Sequence, residues 1–458
     1  MTTSTPRRDT SMLSVAVGLG IFGLANFAFL GLAGRDLTPA GSAPVAVAWT
    51  ILNAVGIGLF QPLEQETSRR LSAARAQGLA GANLRSMVRY TTLATALVLV
   101  IGLLSLPWLG DLLFSGADEL VLVTVLGLLS QALAYFARGL LSGQGRFTSY
   151  GAQLAVDGVL RIAGAAALFL TGAGTRFSYG LVLVVVPVLA TVLTVPVSRL
   201  VATWRDRDGA PSPTPMAPLV ASSSSSQILA NFGPLAMAAL ATASQQDLSG
   251  RFVAAVTIAR IPLFVFAAVQ AVFLPALAAH AAQDAAASFG RAVRRALLLT
   301  VALGAAGVAG VALLGHLLME LVYGPDFAVP TSVLVLIAVS AALFMLAQVF
   351  AQALLALDLE RLSTVAWTVG VVVSVLTLLL PWELATRVST ALCTGAGAAL
   401  VLLVLALLTS TRRWHAQLAS AVPESAPAAS STTAPDAPTL DDAPHPVSAV
   451  PDDPEAHP

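Results

Sequence analysis

Charged residues are scarce in this sequence. They make up 10% of its 458 residues, whereas an ordinary soluble domain carries about 25%. Lysine is absent altogether, so all 24 basic residues are arginine. Hydrophobic residues reach 57%, and the mean hydropathy is +0.82. This balance excludes a soluble globular protein and predicts an all-α integral membrane protein with many spans.

Motifs for cofactors and catalysis are also missing. The single cysteine, Cys393, excludes a disulfide within the chain. The sequence contains no Walker A loop, no Cys/His metal spacing and no dinucleotide fingerprint, so we expect no cofactor, no metal and no nucleic acid partner. A membrane glycosyltransferase is expected to carry acids on long outer loops, and here the first outer connection offers only Asp36. We therefore expect that the protein is not an enzyme.

What the sequence has instead is a series of long apolar runs. A spanning helix needs about 20 mostly apolar residues, and we predict about twelve such helices. Their ranges are 11–33, 43–62, 87–110, 119–140, 150–171, 177–198, 218–242, 252–277, 293–322, 331–355, 362–381 and 384–410.

The arginines lie mainly on one side of this arrangement. With a cytoplasmic N-terminus, the inner segments hold 18 arginines and the outer connections hold four, while Arg161 and Arg260 lie inside helices. Cytoplasmic loops are enriched in basic residues. The split therefore predicts a multi-pass protein of the cytoplasmic (inner) membrane with both termini in the cytoplasm.

The two halves of the chain resemble each other. Three pairs of segments match in order: 58–63 with 271–276, 111–116 with 320–325, and the segment from Ala137 with that from Ala351. The offsets are about 213, 209 and 214 residues. Because six spans is an even number, both halves enter the membrane from the same side. We predict two six-helix lobes related as parallel repeats around a central cavity.

The domain boundaries follow from these runs. We assign residues 1–200 to an N-terminal lobe, 201–217 to a cytoplasmic linker and 218–413 to a C-terminal lobe. Residues 414–458 are rich in proline, alanine, serine and aspartate and contain almost no large apolar residue. We predict a disordered cytoplasmic tail there, because such a segment cannot bury a core.

Few polar residues lie inside the predicted helices. Asp157 and Arg161 are four residues apart in helix 5 and can pair on one helix face. The pair either locks helix 5 to a neighbour or lines a cavity, and both interpretations stay open. Asn26 in helix 1 and Asn53 in helix 2 suit hydrogen bonds between helices.

Helix 7 carries a polar stripe. Ser224, Gln227 and Asn231 recur at helical spacing in ASSSSSQILANFG. The stripe fits either a close helix contact made by small hydroxyl groups or the lining of an aqueous cavity.

Arg260 lies in an apolar run, TIARIPLFVFAAVQAVFLPAL, that is long enough to span a membrane, and no acid lies within one helical turn of it. A charge at the centre of a lipid-facing helix costs roughly 2.5–3.5 kcal/mol, so Arg260 either pairs with another helix or faces a cavity. Its planar guanidinium donates two parallel hydrogen bonds, which suits a diphosphate.

Four segments carry a resemblance to a known family. Residues 34–72 resemble the helix 1–2 region of the polysaccharide-export flippases of the multidrug/oligosaccharidyl-lipid/polysaccharide (MOP) superfamily. Residues 137–164, which begin ARGLLSGQGRF, resemble their helix 4–5 segment. Residues 257–278 and 321–327 resemble the helix 8 and helix 9–10 segments. The similarity covers about residues 10–410.

The resemblance implies alternating access and a saccharide carried on undecaprenyl diphosphate from the inner to the outer leaflet. In the related lipid II flippases an arginine early in helix 8 lies in the cavity, and Arg260 matches its position. Their cavity arginines in helices 1 and 2 are not matched, because Asn26 and the Thr50 region stand there. This difference favours another polyprenyl-linked glycan, a precursor of cell-surface polysaccharide, over lipid II.

We therefore expect Arg260 to hold the diphosphate and Asn231, Gln227 and Asn26 to line the sugar path. Asp157 and Arg161 join the substrate-binding set if their pair lines the cavity.

The expected partners are the lipid-linked saccharide and membrane lipids. A coupling ion and, through the tail, cell-envelope biosynthesis enzymes are further candidates. Two alternatives stay open. One is a multidrug or cation antiporter of the same superfamily, which needs a free intramembrane carboxylate. The other is a membrane scaffold that transports nothing.

Overall fold

The computed structural model describes residues 6–76, 84–195, 216–263, 265–266, 286–357 and 359–421. The described residues up to residue 412 form one compact unit, and a second unit begins at residue 413. Twelve α-helices, and no strand, occur in the described ranges. They are α1 (Pro6–Ile51), α2 (Ile57–Ala76), α3 (Arg85–Phe114), α4 (Asp118–Gly143), α5 (Phe147–Thr171), α6 (Arg176–Thr194), α7 (Met216–Leu240), α8 (Gln246–Ala259), α9 (Ala286–Tyr323), α10 (Thr331–Leu355), α11 (Glu360–Thr377) and α12 (Leu384–Ala421).

The outer surface of the bundle is apolar. Nine helical stretches of the described residues are long and apolar enough to cross a membrane. On α3, large side chains at helical spacing are each more than half exposed: Leu93, Leu97, Ile101, Leu104 and Trp108. In water such a continuous apolar stripe would be unfavourable, whereas in a bilayer it faces lipid.

Helix α1 contains two helical segments that fold back on each other. The segments meet at Thr38, whose φ of 62° lies outside the right-handed helical region. Trp49 Nε1 donates a hydrogen bond of 3.1 Å to Asn26 Oδ1. Residues 23 apart in a straight helix would lie about 34 Å apart, so the two segments run antiparallel. The predicted helices 11–33 and 43–62 are therefore this hairpin, extended through the π-helical turn Leu52–Gly56 into α2.

The sequence predicts that α1–α6 and α7–α12 form the two lobes, and the structure brings α1 against α8 and α2 against α7. A Cβ atom built on Gly58 of α2 would lie 3.0 Å from Ser224 of α7. A Cβ atom on Gly250 of α8 would lie 2.0 Å from the carbonyl oxygen of Pro39 in α1. Glycine at these points lets the backbones of the two lobes approach closely.

Two of the three matched segment pairs can be compared in the structure. Residues 111–116 end α3 and residues 320–325 end α9, and each helix is followed by a residue of positive φ, Ser115 at 54° and Gly324 at 103°. The segments from Ala137 and Ala351 lie near the ends of α4 and α10. Each pair is thus six helices apart. The third pair includes 271–276, which lies outside the described residues.

Some predicted boundaries differ from the structure. The predicted helix 252–277 is interrupted, because α8 ends at Ala259 and Arg260 forms a turn before the helix resumes at residue 261. Helix α12 extends to Ala421, so the first eight residues of the predicted disordered tail are helical. The first proline of the predicted tail, Pro423, lies two residues after the end of α12, and proline disfavours continuation of a helix. The rest of the tail and residues 201–215 of the predicted linker lie outside the described residues.

Candidate substrate-binding cavity

A cavity of about 440 Å³ lies between the two lobes. Its walls come from α1, the π-helical turn, α2, α7, α8, α10 and α11. The polar side chains that line it are Asn26, Asn53, Gln61, Gln65, Ser222, Ser223, Ser226, Gln227, Asn231, Thr257, Arg260, Gln348, Gln352, Glu360 and Ser363. The aromatic side chains are Phe22, Phe27, Trp49, Phe266, Phe344 and Trp367. Amides and aromatic rings therefore outnumber charges on its surface.

The α1 hairpin supplies one wall. Asn26 is buried and holds Trp49 by the hydrogen bond described above, while its Nδ2 donates to the carbonyl of Phe22 at 2.9 Å. Asn53 Nδ2 donates to the carbonyl of Trp49 at 2.7 Å. Asn26 thus joins the two arms of the hairpin, as predicted for an interhelical hydrogen bond. Asn53, in contrast, bonds four residues back on its own arm, and both asparagines line the cavity.

The polar stripe of α7 supplies the facing wall. Asn231 is buried, and its Nδ2 donates to the carbonyl of Gln227 at 2.9 Å and to the Gln227 side-chain oxygen at 3.4 Å. Gln227 and Asn231 both line the cavity. Ser223 Oγ donates to the carbonyl of Ile57 at 3.3 Å, and Ser224 contacts Gly58. Both interpretations of the stripe therefore apply, each to a different part of it.

Arg260 lies at the break after α8. Its Nη2 donates a hydrogen bond to the backbone carbonyl of Ala230 in α7, and the side chain lines the cavity. Within the described residues no carboxylate lies within salt-bridge distance of Arg260. A guanidinium has five N–H donors, so most of its donors remain available to a ligand. Among the charged residues that line the cavity in the described part of the chain, Arg260 is the one cation.

The cavity reaches one end of the bundle and is closed at the other. We call the end that carries Arg69, Arg70, Arg85 and Arg146 the arginine-rich end. Gln61 and Gln65 of α2 line the cavity near this end, and both side chains are exposed.

At the opposite end α1 packs tightly on α9. A Cβ atom on Gly34 would lie 2.7 Å from the ring of Tyr323, and one on Gly31 would lie 2.9 Å from Val322. Tyr323 is buried. In the predicted orientation the structure is therefore inward-facing.

Several cavity residues were missed by the sequence analysis. Gln348 and Gln352 lie one turn apart on α10, and Gln352 Oε1 is buried without a hydrogen-bond partner in the described part of the molecule. Glu360, in the first turn of α11, also lines the cavity. The signal for the two glutamines was their spacing of four in an apolar helix. Which face of α10 turns inward, however, depends on packing.

Asp157 and Arg161 form the predicted ion pair but do not line this cavity. Arg161 Nη2 lies 2.7 Å from Asp157 Oδ1, and both side chains are buried. The Arg161 guanidinium lies 5.5 Å from the ring centre of Phe22, a cavity residue. The pair therefore stands behind the cavity wall, whereas Arg260, Asn231, Gln227 and Asn26 are brought together around the cavity.

Another charge pair joins two helices of the N-terminal lobe and was also missed. Arg138 of α4 lies 3.3 Å from Glu64 of α2, and Tyr150 of α5 donates to Glu64 Oε1 at 2.8 Å. The ring of Tyr135 lies 4.1 Å below the Arg138 guanidinium. Because Glu64 is paired, it is not the free carboxylate that a cation antiporter needs. No cluster of three or more His, Cys, Asp or Glu residues in the described ranges could hold a metal ion.

Comparison with curated proteins finds relatives of unassigned function. The "Uncharacterized protein Rv1510" of Mycobacterium tuberculosis is 29% identical over 384 residues, which is 82% of this chain and 86% of that protein. The "Uncharacterized protein Rv3630" of the same organism is 28% identical over 399 residues, 84% of this chain and 89% of that protein. No family model matches the chain.

Comparison with solved structures identifies the fold. An inward-facing multidrug resistance MATE family transporter of the MOP superfamily superposes with a TM-score of 0.66 at 16% identity, covering 90% of this chain and 99% of that one. An outward-facing MATE transporter gives 0.61 at 16% identity, covering 88% and 95%. A MOP superfamily transporter from Pyrococcus furiosus, described as having a binding pocket of reverse polarity, gives 0.62 at 16% identity, covering 88% and 94%. The predicted fold of twelve membrane helices in two lobes is confirmed, and it is the fold of MOP superfamily transporters.

Proposed function

We propose that the protein is a flippase that moves an undecaprenyl-diphosphate-linked saccharide, a precursor of cell-surface polysaccharide, from the inner to the outer leaflet by alternating access. The MOP transporter fold supports transport as the activity. The predicted inward-facing geometry suits the loading of a substrate made on the cytoplasmic side.

The observation that carries the proposal is the position of Arg260 in the cavity. The guanidinium lines a cavity between the lobes and donates to a backbone carbonyl, and amide side chains line the same cavity. A cation that is anchored but not neutralised favours an anionic group, and a guanidinium fork matches phosphate oxygens.

The remaining lining suits a saccharide. Gln227, Asn231 and Asn26 present amide groups that donate and accept hydrogen bonds, as sugar hydroxyls require. Trp49 and Trp367 add aromatic surface. The cavity volume of about 440 Å³ lies within the range of roughly 300–1,000 Å³ that is usual for small-ligand sites, so it holds a headgroup while the polyprenyl chain stays in lipid.

Glu360 favours a second candidate function, export of an organic cation. Its carboxylate lines the same cavity near the arginine-rich end. A multidrug antiporter would use such an acid to hold a cation, and Glu360→Gln would then abolish transport. On the flippase proposal Glu360→Gln changes lipid binding little, because the diphosphate binds at Arg260.

Native mass spectrometry of the gently extracted full-length protein tests the proposal. We expect the wild type to retain a polyprenyl-diphosphate glycan and Arg260→Ala to lose it. Arg260→Lys should retain little, because an ammonium keeps the charge but not the paired fork. The control is Arg291→Ala, which removes an exposed arginine that contacts Ser288.

Two results would contradict the proposal at different levels. Retention of the lipid by every variant would keep the substrate class and remove Arg260 from the binding site. A wild type that neither retains such a lipid nor binds added undecaprenyl diphosphate, yet exports a cationic dye in a Glu360-dependent manner, would establish the antiporter.

A further inference from the structure

Arg260 donates to the backbone carbonyl of Ala230. Pro234 cannot supply the helical hydrogen bond that this carbonyl would normally accept. In an α-helix the N–H of residue 234 would donate to the carbonyl of residue 230. Residue 234 is proline, which has no N–H, and α7 nevertheless continues as a helix from Met216 to Leu240. The carbonyl of Ala230 therefore lacks the N–H that residue 234 would otherwise supply, and it is this oxygen that accepts from Arg260 Nη2.

A second proline lies close to the turn that carries Arg260. Helix α8 ends at Ala259, and Arg260 has φ −95° and ψ 3°, outside the helical region. Pro262 follows two residues later, where the helix has resumed, and it supplies no N–H to that helix. Pro262 packs tightly on α9, since a Cβ atom built on Gly307 would lie 2.6 Å from its Cγ. The residues after the turn thus pack on α9, while the side chain of Arg260 bonds to α7.

From this arrangement we infer that Pro234 is a positioning residue for Arg260. Pro234 is buried in α7. By withholding an N–H it keeps the Ala230 carbonyl free, and that carbonyl ties one arm of the guanidinium to the cavity wall. A long arginine side chain otherwise swings toward water, so the tie holds the remaining N–H donors in one place. The inference rests on the proposed function, because it explains how the diphosphate site is organised.

The fixed guanidinium has a consequence for affinity. A rigid fork makes paired contacts with two oxygens of one phosphate group, and its position is set before the ligand arrives, which lowers the entropic cost of binding. A mobile guanidinium has to be ordered when the ligand binds. Pro234 therefore contributes to the affinity of the site for a phosphate group.

Titration of the purified full-length protein with undecaprenyl diphosphate and with undecaprenyl monophosphate, followed by native mass spectrometry, tests this inference. In Pro234→Ala the restored N–H competes for the Ala230 carbonyl. We expect affinity for the diphosphate to fall about 10-fold, the value of one charge-assisted hydrogen bond, and affinity for the monophosphate to fall by a similar factor. The melting temperature should stay the same or rise, because the helix regains a hydrogen bond.

Two further variants separate positioning from general effects of losing a proline. Pro187→Ala changes a buried proline of α6 that does not line the cavity, and it should leave both affinities unchanged. The double variant Pro234→Ala/Arg260→Ala should bind no more weakly than Arg260→Ala alone, because Pro234 acts through Arg260. If Pro234→Ala expresses poorly, Pro234→Ser restores the same N–H and replaces it in the series.

The outcomes distinguish this inference from the proposed function. Unchanged affinity in Pro234→Ala with a clear loss in Arg260→Ala overturns the positioning role and leaves the flippase proposal standing. Additive losses in the double variant also overturn it. If Arg260→Ala itself binds the diphosphate as the wild type does, the diphosphate site is wrong and the positioning role falls with it.

Discussion

Arg35 of α1 donates a hydrogen bond from Nε to the backbone carbonyl of Val322 at 2.9 Å, and its Nη2 donates to the carbonyl of Leu321. Both acceptors lie at the end of α9, where backbone carbonyls lack helical partners and the helix dipole is negative. A cation of the N-terminal lobe thus caps a helix of the C-terminal lobe, at the end of the bundle where the cavity is closed. An outward-facing state has to break this contact.

Replacing Arg35 should therefore favour the outward-facing state. Arg35 is exposed, so we assign its two hydrogen bonds about 1 kcal/mol, or about a 5-fold shift in the population ratio. Spin labels at Ala173→Cys and Ala328→Cys, in a Cys393→Ser background, report the distance between the lobes at this end. We expect longer distances to gain weight in Arg35→Ala, and Arg35→Lys to lie between that variant and the wild type. Identical distance distributions in all three would show that Arg35 does not hold the closed state.

The contact between α1 and α5 makes a second prediction with a control in the same helix. A Cβ atom on Gly18 would lie 2.3 Å from the carbonyl oxygen of Gly151, whereas one on Gly20 would meet nothing within 4 Å. We expect Gly18→Ala to destabilise the protein by about 1–3 kcal/mol, because two backbones must separate. Gly20→Ala should be neutral or stabilise it by up to about 1 kcal/mol, because alanine favours the helix. Equal melting temperatures for the two variants would contradict this packing.

Features that depend on residues near one another in the sequence could be predicted. Apolar run length gave the number of helices, and the spacing of four gave the Asp157–Arg161 pair, which the structure confirms. The break after α8 could also have been predicted, because Pro262 follows Arg260 closely.

Features that join distant helices could not be predicted. The acceptor of Arg260 is 30 residues away on another helix, and Glu64, Arg138 and Tyr150 come from three helices. Many pairings of such residues are compatible with the same helix pattern, and only the packing of α2, α4 and α5 selects one. Four of the six predicted site residues line the cavity, because a polar residue in an apolar helix usually faces the protein interior. The other two face a different part of the interior, which the sequence alone does not indicate.

The Asp157–Arg161 pair provides a test of the two interpretations that its sequence spacing left open. Asp157→Ala leaves the buried Arg161 charge without its carboxylate, so we expect a loss of stability of about 3–5 kcal/mol. Asp157→Leu/Arg161→Met removes both charges and should recover most of the lost stability. Replacement of a buried ion pair by apolar side chains of similar volume is often neutral or stabilising. Melting temperature and retention of the lipid-linked saccharide are measured on both variants. If the pair only locks α5, the double variant keeps the lipid. A double variant that is stable yet has lost the lipid would show that the pair, although it stands behind Phe22 in this conformation, reaches the substrate in another.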